Sequence, residues 1–580
     1  MRYCKYITSI MLFVIFMFAT VDTHWFVYPS LSRSLLMETG ILFGALLIFP
    51  FVLANKFQAV KNTDMLILAW IGYVAIHALI VTPHETYRTT YLCCSLLFCV
   101  SLSIGIRIGI IRRAAIENCI LMAAMIHLIY ITGQSCGIIE SGNNNFLITG
   151  SNENPTVTAL YLTACIPLMV SRIKKGTYRI FYIIFLIAAF CAIIFLRCRT
   201  AYIGLIVEFV VYISAYRKVI FPKMIKYIRY RYIFAVAVSA IAVFSLTRLY
   251  LMKQDSADGR LLIWKISTNM IAENPLGYGY GLFEKNYNLK QAEYFEHGEY
   301  SKTEKRNADS IYMAYNDYLE HGVEGGIIGI VFLGVFYCFN IRKALHNKRT
   351  EDTAITIAFA VMSLTNFVYS SILPWLLFMC YTAFCNSTAT NKLENTKNKM
   401  FGMTATATLL VFTILLTYKT ISMTMAQYQL NRIETIRKGR KAIDDKFYAD
   451  IESEISTSEA YWKSRASNYM ANNDFRNAVL SIQKARLYSS SPQLFYKEKQ
   501  CQMFLENTDS ATQLLTTLSY MLPRDLTLKH ELMLYHDMSG NKSMAIHYAD
   551  DILATDIKKP SSKKQTIINH ALKLKRKYEK

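Results

Sequence analysis

The sequence predicts an all-α protein: a polytopic transmembrane helical bundle of about 12–13 spans, with a large periplasmic loop and a C-terminal α-helical, tetratricopeptide-like domain. Three observations carry this. Apolar runs recur over roughly the first 420 of 580 residues, in a chain that is 53% hydrophobic, and about 17–25 apolar residues suffice to cross a bilayer. One such run also fits a buried core helix; about a dozen in series exclude a soluble globular protein. A polar stretch, Arg260 to Gly329, interrupts the series. After about residue 424 the apolar runs stop and mixed-charge helical periodicity begins.

Spans are expected at roughly 6–22, 39–54, 65–83, 89–110, 114–133, 156–172, 178–196, 202–216, 232–249, 325–342, 354–371, 373–388 and 403–422. The first follows Arg2 and Lys5 and lacks a convincing small-residue cleavage site, so it reads as an uncleaved span. The connections after spans two, four, six and eight are basic: Lys56 and Lys61; Arg107, Arg112 and Arg113; Arg172, Lys174 and Lys175; Arg217, Lys218, Lys223, Lys226, Arg229 and Arg231. Basic connections stay in the cytoplasm. The N-terminus is therefore expected inside and the loop of about 250–324 outside; Arg342, Lys343, Lys348 and Arg349 then return the chain inside. Arg432, Arg437, Lys438, Arg440 and Lys441 disagree, since thirteen spans put them outside. Either the Pro374 region is a re-entrant hairpin or charge near a late span is overridden.

Much of the net charge of +22 lies in these short connections. It therefore implies no nucleic-acid partner, and the Tyr227–Tyr232 cluster reads as an interface anchor. Most of the thirteen cysteines sit in or beside spans and none forms a CxxC pair, so neither a disulfide framework nor a zinc site is indicated.

The domains are expected at 1–422 and 423–580. In the second, Ala478, Ala511 and Ala545 recur at about the tetratricopeptide step of 34 residues. Pro492 and Pro523 are expected to end helix pairs, because proline cannot continue a helix. Gly540 marks a turn. Such arrays form concave binding surfaces, so a protein partner is expected there rather than an active site.

Chemistry is expected in the polar loop. Arg260 precedes Trp264 by one helical turn near the headgroup layer; its planar fork suits phosphate oxygens, although it would also serve as a snorkelling anchor. Arg197 and Arg199 flank Cys198 in a tight turn between spans, where charge is costly without a partner; interfacial snorkelling is the alternative. Asn274-Pro275-Leu276-Gly277-Tyr278-Gly279-Tyr280-Gly281 is a turn, either purely structural or an anion cradle of backbone N–H groups. Tyr315, Asn316 and Asp317 open the helix into span ten and either orient and deprotonate a sugar hydroxyl or are ordinary helix-surface residues. Lone His297 and His321 read as surface residues. Asn152, Glu153, Asn154 and Pro155 precede span six on the outer face, bordering the same cavity. Glu117 and Glu208 are carboxylates within or near spans, functional by default, with a tyrosine or lysine as partner for Glu208.

Together these residues resemble the O-antigen ligase and polymerase superfamily of bacterial membrane glycosyltransferases, over roughly residues 30–390. The strongest elements are Arg260-x-x-x-Trp264, Asn274-Pro275-Leu276-Gly277-x-Gly279, and Asn316-x-x-Leu319 followed by Gly326-x-x-Gly329; Gly150-x-x-x-Asn154-Pro155 and Arg199-Thr200-Ala201 are weaker. The resemblance implies transfer of glycan from an undecaprenyl-diphosphate carrier to an acceptor hydroxyl on lipid A core, polysaccharide or protein, without metal or cofactor, in the bacterial inner membrane. It places Arg199 and Arg260 on the diphosphate, with Arg197 beside them. It also implies a catalytic role for Arg260 and for Tyr315, Asn316 and Asp317. The family usually has histidine, thought to be the base on the acceptor, where this chain has Tyr315; with an ordinary pKa near 10, tyrosine is a poor base, leaving Asp317, Asp309 or His321 as substitutes. O-antigen ligase is the leading expectation, polymerase and protein O-oligosaccharyltransferase its alternatives. A glycan transporter or a membrane scaffold would be readings of another class.

Overall fold

The computed structural model describes residues 2–21, 29–54, 62–220, 254–387, 399–439, 443–555 and 561–578. The predicted ninth span (232–249), the Tyr227–Tyr232 cluster, the first residues of the loop and several basic connectors, including Lys56 and Lys61, lie outside these residues. The described residues are all helical in their regular structure.

Helices α1 (Arg2–Thr20), α2 (Pro29–Ala54), α3 (Asn62–Ile80), α4 (Thr86–Ile108), α5 (Arg113–Ser135), α6 (Pro155–Lys175), α7 (Arg179–Leu196) and α8 (Arg199–Ile220) match the first eight predicted spans. Among the described residues, eight helices are long and apolar enough to cross a membrane, and α1, α3 and a later helix are shorter apolar ones. α4 is buried along most of its length. α7 instead leaves Ile184, Ile187 and Phe195 exposed, and α8 Phe209, as helices facing lipid do. An isolated charge in the bundle is costly, and several there are paired: Arg107 with Asp64 at 2.6 Å, and Arg113 with both Glu117 at 2.7 Å and Asp352 at 2.5 Å.

The polar segment holds α9 (Gln254–Glu273), α10 (Phe283–His297) and α11 (Lys302–Asn307), with its own core of Leu262, Ile266, Met270, Phe283, Tyr287 and Phe295. α12 (Asp317–His346) then starts at an Asn316 N-cap and kinks at Gly326. α13 (Thr350–Met362) returns to Ser363, whose carbonyl accepts from the Asp317 N–H at 2.8 Å. α14 (Ile372–Ser387) leaves again, with the Cys385 carbonyl accepting from Asn347 at 3.2 Å. Span eleven, predicted as 354–371, is thus corrected: its helix ends at Met362, and residues 363–371 are a turn beside the start of α12. Five polar residues, Ser363, Thr365, Asn366, Ser370 and Ser371, lie in this turn among the apolar Leu364, Phe367 and Val368.

α15 (Lys399–Gly439) is 41 residues long, about 60 Å at 1.5 Å per residue, and runs through residue 422 out of the bundle into the array. α16 (Lys446–Ile455) precedes three helix pairs: α17 (Glu459–Ala471) with α18 (Phe475–Arg486), α19 (Pro492–Phe504) with α20 (Thr508–Met521), and α21 (Leu526–Met538) with α22 (Lys542–Ala554). α23 (Ser562–Tyr578) closes the stack. The second helix of each pair buries Ala478, Ala511 or Ala545, so the step of about 34 residues is structural. Pro492 does not end a pair, as predicted; it opens α19, where its missing N–H is no loss.

The array rests on the polar segment. Gln291 of α10 donates to the Met521 carbonyl at 2.7 Å, Lys305 pairs with Asp551 at 2.6 Å and Arg524 with Asp309 at 3.3 Å. Array and polar segment therefore share one face of the bundle. Arg437, one of the basic residues after the last span, pairs with Glu434 at 2.7 Å.

Candidate active site

The turn at 363–371 organises the site. Arg260, on α9, donates through Nη1 to the Thr365 carbonyl at 2.7 Å, and its guanidinium lies over the Tyr315 ring at 4.9 Å. Thr200, next to Arg199, meets the same turn: Asn366 donates to its Oγ1 at 3.1 Å. Arg199 donates to Ser256 on α9 at 3.0 Å. Residues from α8, α9, the head of α12 and the turn thus converge, although more than fifty residues separate Arg199 from Arg260 in sequence. Burial, and next the nearby Arg199 charge, push the Arg260 guanidinium below its ordinary value. Among the described residues no carboxylate pairs with Arg260, so the site has a positive field suited to an anion. Arg197 sits in the same turn as Arg199 with positive φ, but its side chain is exposed.

Tyr315 has φ of 52°, a conformation costly for a bulky residue, and packs on Phe367 with ring centroids 5.6 Å apart. Burial raises its phenol pKa, with Arg260 opposing, so the phenol remains protonated at neutral pH. Asn316 spends its Oδ1 on the α12 N-terminus, accepting from Tyr318 N–H at 3.0 Å and Leu319 N–H at 3.2 Å. Asp317 is fully buried, and its Oδ2 accepts from the Val368 and Tyr369 N–H groups at 3.1 Å each. It holds the turn that holds Arg260.

His321 is fully buried, not a surface residue as expected; it packs against Tyr369 at 4.1 Å and Trp70 at 5.7 Å. Asp309 is exposed and paired with Arg524. His297 is exposed as expected. Trp264 donates to the Ala314 carbonyl at 3.2 Å. Asn154 caps α6, and Asn152 accepts from Arg33 at 2.9 Å. Thr156, two residues on, lies near Cys198, so the start of α6 sits beside the arginine turn. Glu117 pairs with Arg113 and Arg172. Glu208, expected to have a tyrosine or lysine partner, has none for either buried oxygen among the described residues.

The glycine turn resolves as structural. Tyr278 and Gly279 N–H groups donate to the Val323 and Glu324 carbonyls at 2.8 and 3.0 Å, Gly277 N–H to Asn274 at 3.0 Å, and Gly281 N–H to the Glu324 carboxylate at 3.1 Å. These four N–H groups are spent within the protein and do not form an anion cradle. A second polar set, absent from the sequence reading, lies across the 363–371 turn. Arg88 of α4 pairs with Glu320 at 2.7 Å, donates to Ser370 at 2.7 Å and covers the Tyr369 ring at 4.0 Å. One basic residue in an apolar span was its only signal.

The family model described as O-Antigen ligase matches residues 160–334, which contain Arg197, Arg199, Arg260 and Tyr315 to Asp317. The match supports the resemblance of this segment to the O-antigen ligase superfamily. It supports a membrane glycosyltransferase-type protein, with lipid-linked glycan and acceptor substrates in general. Arg260, and Thr200 next to Arg199, hydrogen-bond with residues 363–371, beyond the matched region. No curated protein matches the chain significantly. A solved structure described as the crystal structure of the APC/C hetero-tetramer Cut9-Hcn1 aligns over 93% of this chain and 84% of that one, at 10% identity and a TM-score of 0.20, too low to bear on the fold.

Proposed function

We propose that this protein is a metal-independent, inverting glycosyltransferase of the bacterial inner membrane, an O-antigen ligase in its closest role. It would transfer glycan from an undecaprenyl-diphosphate carrier to an acceptor hydroxyl on the periplasmic face. The observation that supports it most is the convergence of Arg260 and Arg199 without a carboxylate on Arg260. Arg260 and Arg199 would grip the diphosphate, with Arg197 at the rim. As the glycosidic bond to the diphosphate oxygen breaks, negative charge grows on that oxygen, and preorganised guanidinium groups stabilise it. The acceptor oxygen forms the new bond from the opposite face of the sugar carbon and gives up its proton to water, while the bonding pair of the broken glycosidic bond leaves with the diphosphate. Tyr315, protonated, would hydrogen-bond the acceptor or the leaving oxygen rather than take the proton. Asn316 and Asp317 would position the site through the α12 N-terminus and the 363–371 turn.

The test is the polysaccharide profile of cells lacking the protein, complemented with wild type or Arg260→Ala. Long chains left on their carrier identify a ligase, single-repeat glycans a polymerase, and altered glycoproteins a protein O-oligosaccharyltransferase. Arg260→Ala is expected to lower transfer by about 100-fold or more, the scale of losing a charge-stabilising group. Full complementation by Arg260→Ala would remove the diphosphate clamp and favour a transporter or scaffold.

A further inference from the structure

A cavity of about 390 Å³ lies between the membrane domain and the array. Its floor carries Glu85, Arg88, Tyr91 and Ser370; its roof carries Glu459 and Lys463 of α17. The two cations are already engaged, Arg88 by Glu320 at 2.7 Å and Lys463 by Glu459 at 3.2 Å. The Glu85 carboxylate takes no hydrogen bond among the described residues, although Glu85 precedes α4 as its N-cap. Burial pushes it up to about 7, with Arg88 opposing. A wall of carboxylates with committed cations repels a diphosphate and suits hydroxyl groups, which donate to carboxylate oxygens and accept from tyrosine and serine hydroxyls.

The cavity is also placed for the reaction. Ser370 lines it, and five residues earlier in the same turn Thr365 holds Arg260. Glu320 links the two faces: it accepts from Arg88 at 2.7 Å, from Ser370 at 2.6 Å and from the Ala314 N–H, next to Tyr315, at 3.1 Å. The positive face of the turn and its acidic, hydroxyl-lined face are therefore distinct, and the array closes only the second.

We propose that this cavity binds the sugar of the acceptor, with Glu85 hydrogen-bonding its hydroxyls and α17 of the array as one wall. The proposal rests on the transferase reading above and adds to it that the array selects the acceptor. The test uses full-length protein in lipid nanodiscs with two probes: labelled lipid-linked glycan from the same cells as donor, and the carbohydrate released from their envelope glycolipid, fluorescently tagged, as acceptor. Glu85→Gln removes the charge at constant size, and Ala460→Phe fills the cavity from the array side. Both variants are expected to weaken binding of the tagged carbohydrate about tenfold and to raise its KM equally, with the donor KM unchanged; a tenfold change is readily resolved. Unaltered carbohydrate binding in both variants, or an effect on the donor KM alone, overturns the proposal. If wild type binds the carbohydrate through Glu85 but transfers nothing, the cavity stands and the transferase reading falls. If wild type transfers glycan and both variants do so with unchanged acceptor KM, the reverse holds.

Discussion

Tyr315 is the residue whose chemistry departs furthest from expectation for the superfamily. Its buried phenol keeps its proton, so it contributes a hydrogen bond rather than a base. Tyr315→Phe is expected to lower kcat/KM about tenfold, the worth of one such bond, without adding an ionisation to the pH–rate profile. Tyr315→His should tolerate the positive φ better than most residues and introduce a limb near the ordinary histidine value of about 6.5. A pH–rate profile of both variants checks this; full activity of Tyr315→Phe at every pH would leave the phenol no role. Asp317 differs in kind, because its partners are the backbone N–H groups of the turn. Asp317→Ala strands two buried donors and should cost roughly 2–4 kcal/mol, read as a lower Tm and a loss of folded protein. Asp317→Asn keeps an acceptor oxygen and should lose much less. The sequence made Asp317 a candidate base because an acidic residue at a helix start in a polar loop looks available; its burial under residues 363–371 was hidden because that turn reads as the end of a span.

At the level of elements, the glycine turn and the α12 kink form one interlock. A Cβ on Gly277 would collide with Gly326 and Glu324 backbone, and one on Gly326 with Pro275 and Leu276 backbone. Gly326 also has φ of 66°. Gly176 has φ of 80° but open space around its Cβ position. Gly176→Ala should therefore show only the backbone cost, about 1 kcal/mol, whereas Gly326→Ala should add steric displacement of the turn and lose far more folded protein. Thermal unfolding in detergent compares the two, and equal losses would mean that backbone strain alone governs Gly326. The spans were legible because apolar length is a strong signal, and so was the turn from its glycines. The break at Met362 was not: Phe367, Val368 and Tyr369 keep the run apolar, while the polar side chains that end the helix bond within the bundle, as Ser363 does with Tyr337 at 2.7 Å.

For the whole molecule, the array is bound to the polar segment through groups that titrate. Glu284 at the start of α10 accepts from the Ser490 N–H at 3.0 Å and from Ser490 Oγ–H at 3.3 Å. Burial outweighs these bonds and raises its carboxyl to about 7, with nearby Glu459 adding to the shift. The sign follows from linkage. A carboxyl whose docked pKa lies above its ordinary value of 4.5 binds protons more tightly when docked. Its contribution to docking is fully present below pH 4.5 and is lost as pH rises through about 7. Hydrogen exchange in α10 should therefore quicken between pH 5 and pH 8, after correction for the intrinsic rate, and Glu284→Gln should flatten that dependence. The sequence showed the repeat through its buried alanines, but not this docking, because Glu284, Gln291 and Ser490 are ordinary polar residues until the fold opposes them. Docking also decides what the array can do. An array hinged away would leave the Glu85 cavity without its α17 wall, and the Glu85 carboxyl is itself pushed up to about 7. The array's share of the change in acceptor KM between pH 5 and pH 8 is therefore the part that Glu284→Gln removes together with the exchange trend; the part that remains belongs to Glu85, and donor KM should stay level throughout.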